Sequence, residues 1–292
     1  MPLQTLDVKD IVSVVQPGDI LAFSGKGNIV SDLVRLATGS IVSHVGIILN
    51  SQDGTTQPKI IESTSLGGFR GVTVSDLVTR CTYYPGLIWY LPLALDLQRK
   101  VDGKKLEFWL LQQKDKQYDT WGAVESALLE WQQSDYWRKI SSHLPTLFEP
   151  SQKPVTEWFC SELASAALQQ VGILPQSLNP DLIRPTDLVA MQIYSGTYYQ
   201  IKGNKTEIPE YNSTPIQSEE IFQKALFSKK PEVVAEIGKA FESLGLSDKA
   251  KTLYQRSKDL QVAKHKTMLI GASALAALLL VTKVIPWHRI VL

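Results

Sequence analysis

Two side chains far apart in the chain have the makings of a thiol nucleophile and its base: Cys160 in Trp-Phe-Cys-Ser-Glu-Leu-Ala, and His44 in Ser-His-Val-Gly-Ile-Ile-Leu. A thiol attacks carbonyl carbon as its thiolate. Two devices favour that form, a helix N-terminus and a neighbouring imidazole. Cys160 has the first in its own sequence. A helical pattern follows it through Leu163, Ala164, Ala166, Ala167, Leu168 and Val171, stops at Gly172 and is followed by Pro175. Glu162 falls in the first turn, where a carboxylate complements the dipole.

The inventory narrows the choice of partner. The chain has four histidines and two cysteines. His143 lies in the polar run Ser141-Ser142-His143-Leu144-Pro145, and His265 and His288 flank a C-terminal apolar run, so only His44 sits in a core-strand pattern. Cys81, in Thr79-Arg80-Cys81-Thr82, has no helix start after it. Taken singly, such a cysteine is a small buried hydrophobe and such a histidine a satisfied core residue. Taken together they predict an ion pair, and an imidazole in that role needs a third group to fix its tautomer. Glu62, in Lys59-Ile60-Ile61-Glu62-Ser63, is placed for it if this strand is the second arm of a hairpin with the His44 strand. Ser63, Asp19 and Asn50 compete for the role.

Six segments, in order, resemble one family. They are Pro17-Gly18-Asp19-Ile20-Leu21, Ser43-His44-Val45-Gly46-Ile47, Ile61-Glu62-Ser63, Tyr118-Asp119 with Gly122, Phe159-Cys160-Ser161-Glu162-Leu163, and Arg184-Pro185-Thr186-Asp187-Leu188. Together they are similar to the circularly permuted papain-like hydrolases of the NlpC type, in which the histidine strand precedes the cysteine helix. The resemblance covers residues 17 to 200, about two thirds of the chain. It implies an α+β fold with an antiparallel sheet and a nucleophile-bearing helix, with Cys160 as nucleophile, His44 as base and Glu62 as orienting residue. It implies no cofactor and no metal. No residue matches an oxyanion donor beyond the Cys160 backbone amide.

The elements that must position these residues follow from the pattern. Asp19–Phe23, Val45–Leu49, Lys59–Glu62 and Leu87–Leu91 read as strands, and Asn28–Ala37, 103–117 and 120–134 as helices. Gly25-Lys26-Gly27 lacks the rest of a phosphate-binding loop and reads as a turn. Residues 135–158, with Trp137, Leu147 and Phe148, read as a long insertion of the kind that forms lids or binding loops.

Past the catalytic region the chain changes character. Residues 1–202 read as the catalytic domain, 203–217 as a polar, turn-rich linker, and 218–262 as a helical hairpin appendage resembling one tetratricopeptide unit, with Ile237, Ala240, Phe241 and Leu244 on one face. One such unit cannot bury its own face, so it must pack on the catalytic domain, a partner protein or another copy. Sixteen uncharged residues, Thr267 to Thr282, extend to Trp287 with one lysine. At about 1.5 Å per residue the longer stretch is about 31 Å, enough for a hydrocarbon core of about 30 Å. With Lys264, His265 and Lys266 before it and Trp287-His288-Arg289 after it, 267–287 reads as a transmembrane tail anchor, with the enzyme in the cytosol. A packing or oligomerising helix is the alternative.

Composition sets bounds on function. In a chain of 292 residues, 44% hydrophobic and 20% charged residues allow a substantial core, and a formal net charge of +1 supplies no basic field for nucleic acid. Two cysteines, one needed as a free thiol, do not make a disulfide-built protein. Met1 to Asp10 has no apolar signal core. The expected activity is thiol hydrolysis of a peptide, isopeptide or peptidoglycan-type amide. The alternative resembles the lecithin:retinol acyltransferase side of the same fold group, a lipid thioesterase, phospholipase or acyltransferase acting on an acyl lipid. A catalytically inactive binding module is the third reading.

Overall fold

The computed structural model describes residues 3–25, 41–49, 57–64, 71–118 and 157–263. The chain divides into two compact units, Met1–Glu220 and Ile221–Leu292. The first is α+β, built on a seven-stranded sheet. Its strands are β1 (Leu3–Thr5), β2 (Ile20–Ser24), β3 (His44–Leu49), β4 (Lys59–Thr64), β5 (Gly71–Asp76), β6 (Leu87–Leu91) and β9 (Tyr198–Lys202), in the spatial order β1-β9-β6-β2-β3-β4-β5. All neighbours are antiparallel except β1 and β9, which run parallel with Leu3 opposite Tyr198. The expected antiparallel sheet is therefore mixed. The three-residue strand at the N-terminus closes one edge, and so short a segment carries too little alternation to be recognised as a strand.

The central strands β2 and β3 are buried along their whole length, because both faces of the sheet are covered. That is why they read as unbroken apolar runs rather than alternating ones. On one face Ala22, Val45, Ile47 and Ile61 pack with Leu163, Ala167 and Leu168 of α4 (Cys160–Gln170). On the other, Leu21, Phe23, Ile48 and Ile60 pack with Leu77 and Cys81 of α1 (Leu77–Tyr83). The helix α1 is capped by the Asp76 side chain, which accepts from the Thr79 amide at 2.7 Å.

Between β6 and α4 lie α2 (Leu95–Gln98), α3 (Gly103–Leu111), and a short parallel pair, β7 (Gln117–Tyr118) with β8 (Glu157–Trp158). The helix expected over 103–117 ends at Leu111. Asp115 turns the chain with φ 66, and its amide donates to Val72, leading into β7. Gly71 opens β5 at φ 140, where a Cβ would meet the Lys116 carbonyl oxygen at 2.2 Å, so only glycine fits this crossing.

The segment 203–217, expected to be a linker, packs on the first unit. The Trp89 indole donates to the Thr206 carbonyl at 2.8 Å, the Ile208 amide donates to the Tyr198 hydroxyl at 2.9 Å, and Asn212 bonds the backbone of Tyr194 through both ends of its amide. Its exposed polar side chains give it a linker's composition, while its backbone and Asn212 bond inward. After α5 (Pro185–Ala190), α6 (Ile216–Leu226) follows this segment.

The second unit holds α7 (Pro231–Ser243) and a helix over 247–263. Its core is Ala225, Val234, Phe241, Ala250 and Leu253, with Gly238 against the Tyr254 ring. The buried stripe of α7 is thus 234, 238 and 241, spaced four and three, not the face through Ala240 and Leu244; Leu244 is 66% exposed. Among the described residues no helix is long and apolar enough to cross a membrane. The expected helices 28–37 and 120–134, the insertion up to 156 and the tail anchor 267–287 lie outside the described residues.

Candidate functional site

Cys160 is the first residue of α4, as its sequence predicts. The Glu162 carboxylate accepts from the Phe159 amide at 3.0 Å, which fixes the entry to the helix and puts negative charge in its first turn. Two further bonds tie the chain around Cys160 to the rest of the unit. Ser63 of β4 donates to the Trp158 carbonyl at 2.6 Å, and Ser161 donates to the Ile183 carbonyl at 2.6 Å. The second explains part of the Arg-Pro-Thr-Asp segment. Arg184 and Asp187 close a fork at 2.7 and 3.0 Å at the start of α5, so these residues stabilise the loop against which α4 rests.

His44 is the first residue of β3, opposite Phe23 in the β2 register, with the two rings 5.5 Å apart. The β3–β4 ladder runs from Leu49↔Lys59 to Ile47↔Ile61. Where that backbone pairing stops, side chains continue it: His44 Nε2 lies 2.6 Å from Glu62 Oε2. Gly46 makes the crossing possible. A Cβ at Gly46 would fall 2.5 Å from Ile60 Cδ1 and 3.4 Å from the Glu62 Cβ, in the space these two side chains use.

With Nε2 engaged by Glu62, the second ring nitrogen, Nδ1, is the one left for Cys160, whose side chain hydrogen-bonds the ring. Burial opposes a charge on His44, but Cys160, by charge and hydrogen bond, and then Glu62 outweigh it and raise the ring to about 9. Burial likewise opposes a charge on Glu62, but hydrogen bonds from His44 and Arg80 and their positive charges bring it down to about 2. Cys160, His44 and Glu62 are 2%, 6% and 1% exposed, so the row of groups is almost sealed from bulk water.

All three residues picked out by the sequence therefore meet. Glu62, a carboxylate at the end of an apolar strand, would ordinarily face solvent; it is held inside instead. Of its competitors, Asp19 accepts from the Gln16 and Leu93 amides and the Tyr90 hydroxyl at 2.7–2.9 Å, and Ser63 is used on Trp158. Asn50 lies outside the described residues, as do His143, His265 and His288. Cys81 is inside α1, and burial pushes its thiol up to about 12, the adjacent Arg80 offsetting only part. Sequence reasoning missed Arg80. Its guanidinium donates from Nε to Glu62 Oε1 at 2.5 Å and from Nη2 to Oε2 at 2.9 Å. Nothing in Leu-Val-Thr-Arg-Cys-Thr-Tyr marks that arginine as part of the site. Among the described residues no cluster of three His, Cys, Asp or Glu side chains is arranged to hold a metal ion.

The chain matches no family model and no curated protein. Among solved structures it is similar to the metalloprotein yiiX (DUF1105) of Escherichia coli O157:H7, at 18% identity and a TM-score of 0.33. The match covers 54% of this chain and 66% of that one, just under two thirds, and a likeness of this size carries no argument about fold or activity.

Proposed function

We propose that this protein is a thiol hydrolase of the permuted papain-like (NlpC) type, cleaving an amide through a covalent acyl-enzyme. The observation that carries the reading is the unbroken row Cys160–His44–Glu62, with the thiol at a helix N-terminus and the imidazole charged by its neighbours. In the first half-reaction the Cys160 thiolate attacks the carbonyl carbon and forms a C–S bond. The imidazolium gives its Nδ1 proton to the leaving nitrogen as the C–N bond breaks. In the second, neutral His44 takes a proton from water, the hydroxide adds to the thioester, and the C–S bond breaks to return the thiolate and a carboxylic acid, which ionises in water. Glu62 holds the ring through Nε2 in both halves. The Cys160 backbone amide, at the first position of the helix where amides lack helical acceptors, is the oxyanion donor of this reading.

Turnover of amide, thioester and phospholipid probes by the full-length chain tests it, with Cys160→Ala as control. Amide cleavage that vanishes in the variant supports the reading. Cleavage that survives Cys160→Ala sinks it, and a phospholipid preference moves the activity to the acyl-lipid class. Iodoacetamide near neutral pH should label Cys160 ahead of Cys81; equal labelling in the folded protein counts against Cys160 as the nucleophile.

A further inference from the structure

We propose that Arg80 is a positioning residue of this site: by gripping both oxygens of Glu62 it keeps that carboxylate an acceptor, which makes His44 donate from Nε2 and leaves Nδ1 as the base for Cys160. The inference rests on the thiol-hydrolase reading and adds a residue to it.

The geometry is specific. Glu62 Oε2 takes two contacts, from Arg80 Nη2 at 2.9 Å and His44 Nε2 at 2.6 Å, while Oε1 takes Arg80 Nε at 2.5 Å. An ionised carboxylate has only acceptor sites, whereas a protonated one has a donor and would fit the opposite imidazole tautomer. Burial by itself favours the protonated form. A fixed positive charge bonded to both oxygens of Glu62 removes that option at working pH. A fork also fixes the carboxylate plane, which a point charge does not.

Arg80 is itself held in place. Its guanidinium lies over the Phe23 ring at 5.0 Å and the Tyr84 ring at 4.8 Å, so the strand that faces His44 and the end of α1 clamp it. The titratable and charged groups bearing on this assembly are His44 from β3 and Arg80 from α1 on Glu62, Cys160 and Glu62 on His44, and Glu62, Tyr84 and Cys81 on Arg80. Loss of the guanidinium acts on the acid side of the pH profile in one direction. Glu62 becomes easier to protonate, and a protonated Glu62 no longer supports the charge on the His44 ring that faces Cys160.

The experiment compares wild type, Arg80→Lys and Arg80→Gln in the full chain. Iodoacetamide alkylation of the Cys160 peptide is followed against pH by mass spectrometry, with ¹⁵N NMR of the His44 ring and a thermal melt. Arg80→Gln should move the acid-side midpoint of alkylation up by about one pH unit, roughly fivefold slower labelling at the wild-type midpoint. Above about pH 9, where the His44 ring is neutral, its signals should shift from a single Nε2–H form to a mixture. Arg80→Lys, with the charge and without the fork, should fall between the two. A variant that melts lower while keeping the wild-type midpoint and tautomer shows Arg80 to be a packing residue and overturns the proposal. If Arg80→Gln does not fold, an Arg80→Lys midpoint coincident with wild type overturns it equally. Failure of the hydrolase reading looks different: Cys160 in the wild type then labels no faster than Cys81 and is indifferent to His44→Ala.

Discussion

Glu62 and Asp19 are two carboxylates buried to the same extent in one sheet, each 1% exposed, and they are driven in opposite directions. Asp19 sits in the turn before β2 and receives hydrogen bonds only from neutral donors, the Gln16 and Leu93 amides and the Tyr90 hydroxyl. Burial wins there and raises its carboxyl to about 6, with those three bonds offsetting only part. Glu62 meets the same desolvation but has an imidazole on one side and a guanidinium on the other, and it falls to about 2. Hydrogen bonds from neutral donors therefore do not keep a buried carboxylate ionised; hydrogen bonds from charged donors, together with the charge they carry, do. Asp19 is built to brace a turn, and Glu62 to hold a charge.

Substitution of each by its amide should separate the two roles. Glu62→Gln cannot fix the charged ring, and amide turnover should drop by about 10²- to 10⁴-fold, as expected when a histidine loses the carboxylate that sets its tautomer. Asp19→Asn should stay within a few-fold of wild type. Comparable losses in both would erase the distinction. In stability the same order holds on a smaller scale. Glu62→Gln leaves the Arg80 cation buried without its anion, at a cost of about 3–5 kcal/mol in denaturant unfolding. Asp19→Asn removes one acceptor among several neutral bonds, at about 1–3 kcal/mol.

The pH dependence sharpens the comparison further. Glu62, lowered from 4.5 to about 2, contributes stability that is present above 4.5 and is lost as pH falls toward 2. Asp19, raised from 3.8 to about 6, has the opposite sign: its contribution is complete below 3.8 and is lost as pH rises through 6. Unfolding free energies measured from pH 2 to 7 should therefore lose their acid-side fall in Glu62→Gln and their decline between pH 4 and 6 in Asp19→Asn. A wild-type-like slope for Asp19→Asn between pH 4 and 6 removes Asp19 as its source. The expected tail anchor has a separate check: full-length protein should resist extraction by alkaline carbonate, and release by carbonate makes 267–287 a packing helix.

What the sequence disclosed was whatever depended on local order. The helix start at Cys160 and the unbroken runs of β2 and β3 follow from residues within a few positions of one another, and two apolar strands in succession suggested the hairpin that puts Glu62 beside His44 across eighteen residues. Arg80 was hidden because it reaches Glu62 from a helix packed on the sheet rather than from a neighbouring strand, and an arginine on a seven-residue helix ordinarily means solvent. The segment 203–217 misled for a related reason. Asn212 and Thr206 look like linker residues until the groups they bond, on Tyr194 and Trp89, are known. The α7 stripe failed on a glycine: Gly238 has no apolar side chain, yet its bare backbone is what lets Tyr254 approach.

The parallel pairing of β1 with β9 bears on how the molecule comes into being. Because β9 lies between β6 and β1, the strand made first has no neighbour in the sheet until residues 198–202 exist. A ribosome must therefore deliver nearly the whole first unit before that edge closes, and α4 with Cys160 emerges only shortly before. Pairings this distant in sequence are slow to form. Cys160 follows Glu62 by 98 residues and precedes β9, so His44, Glu62 and Cys160 are all on the chain before the β1 edge of the sheet can close.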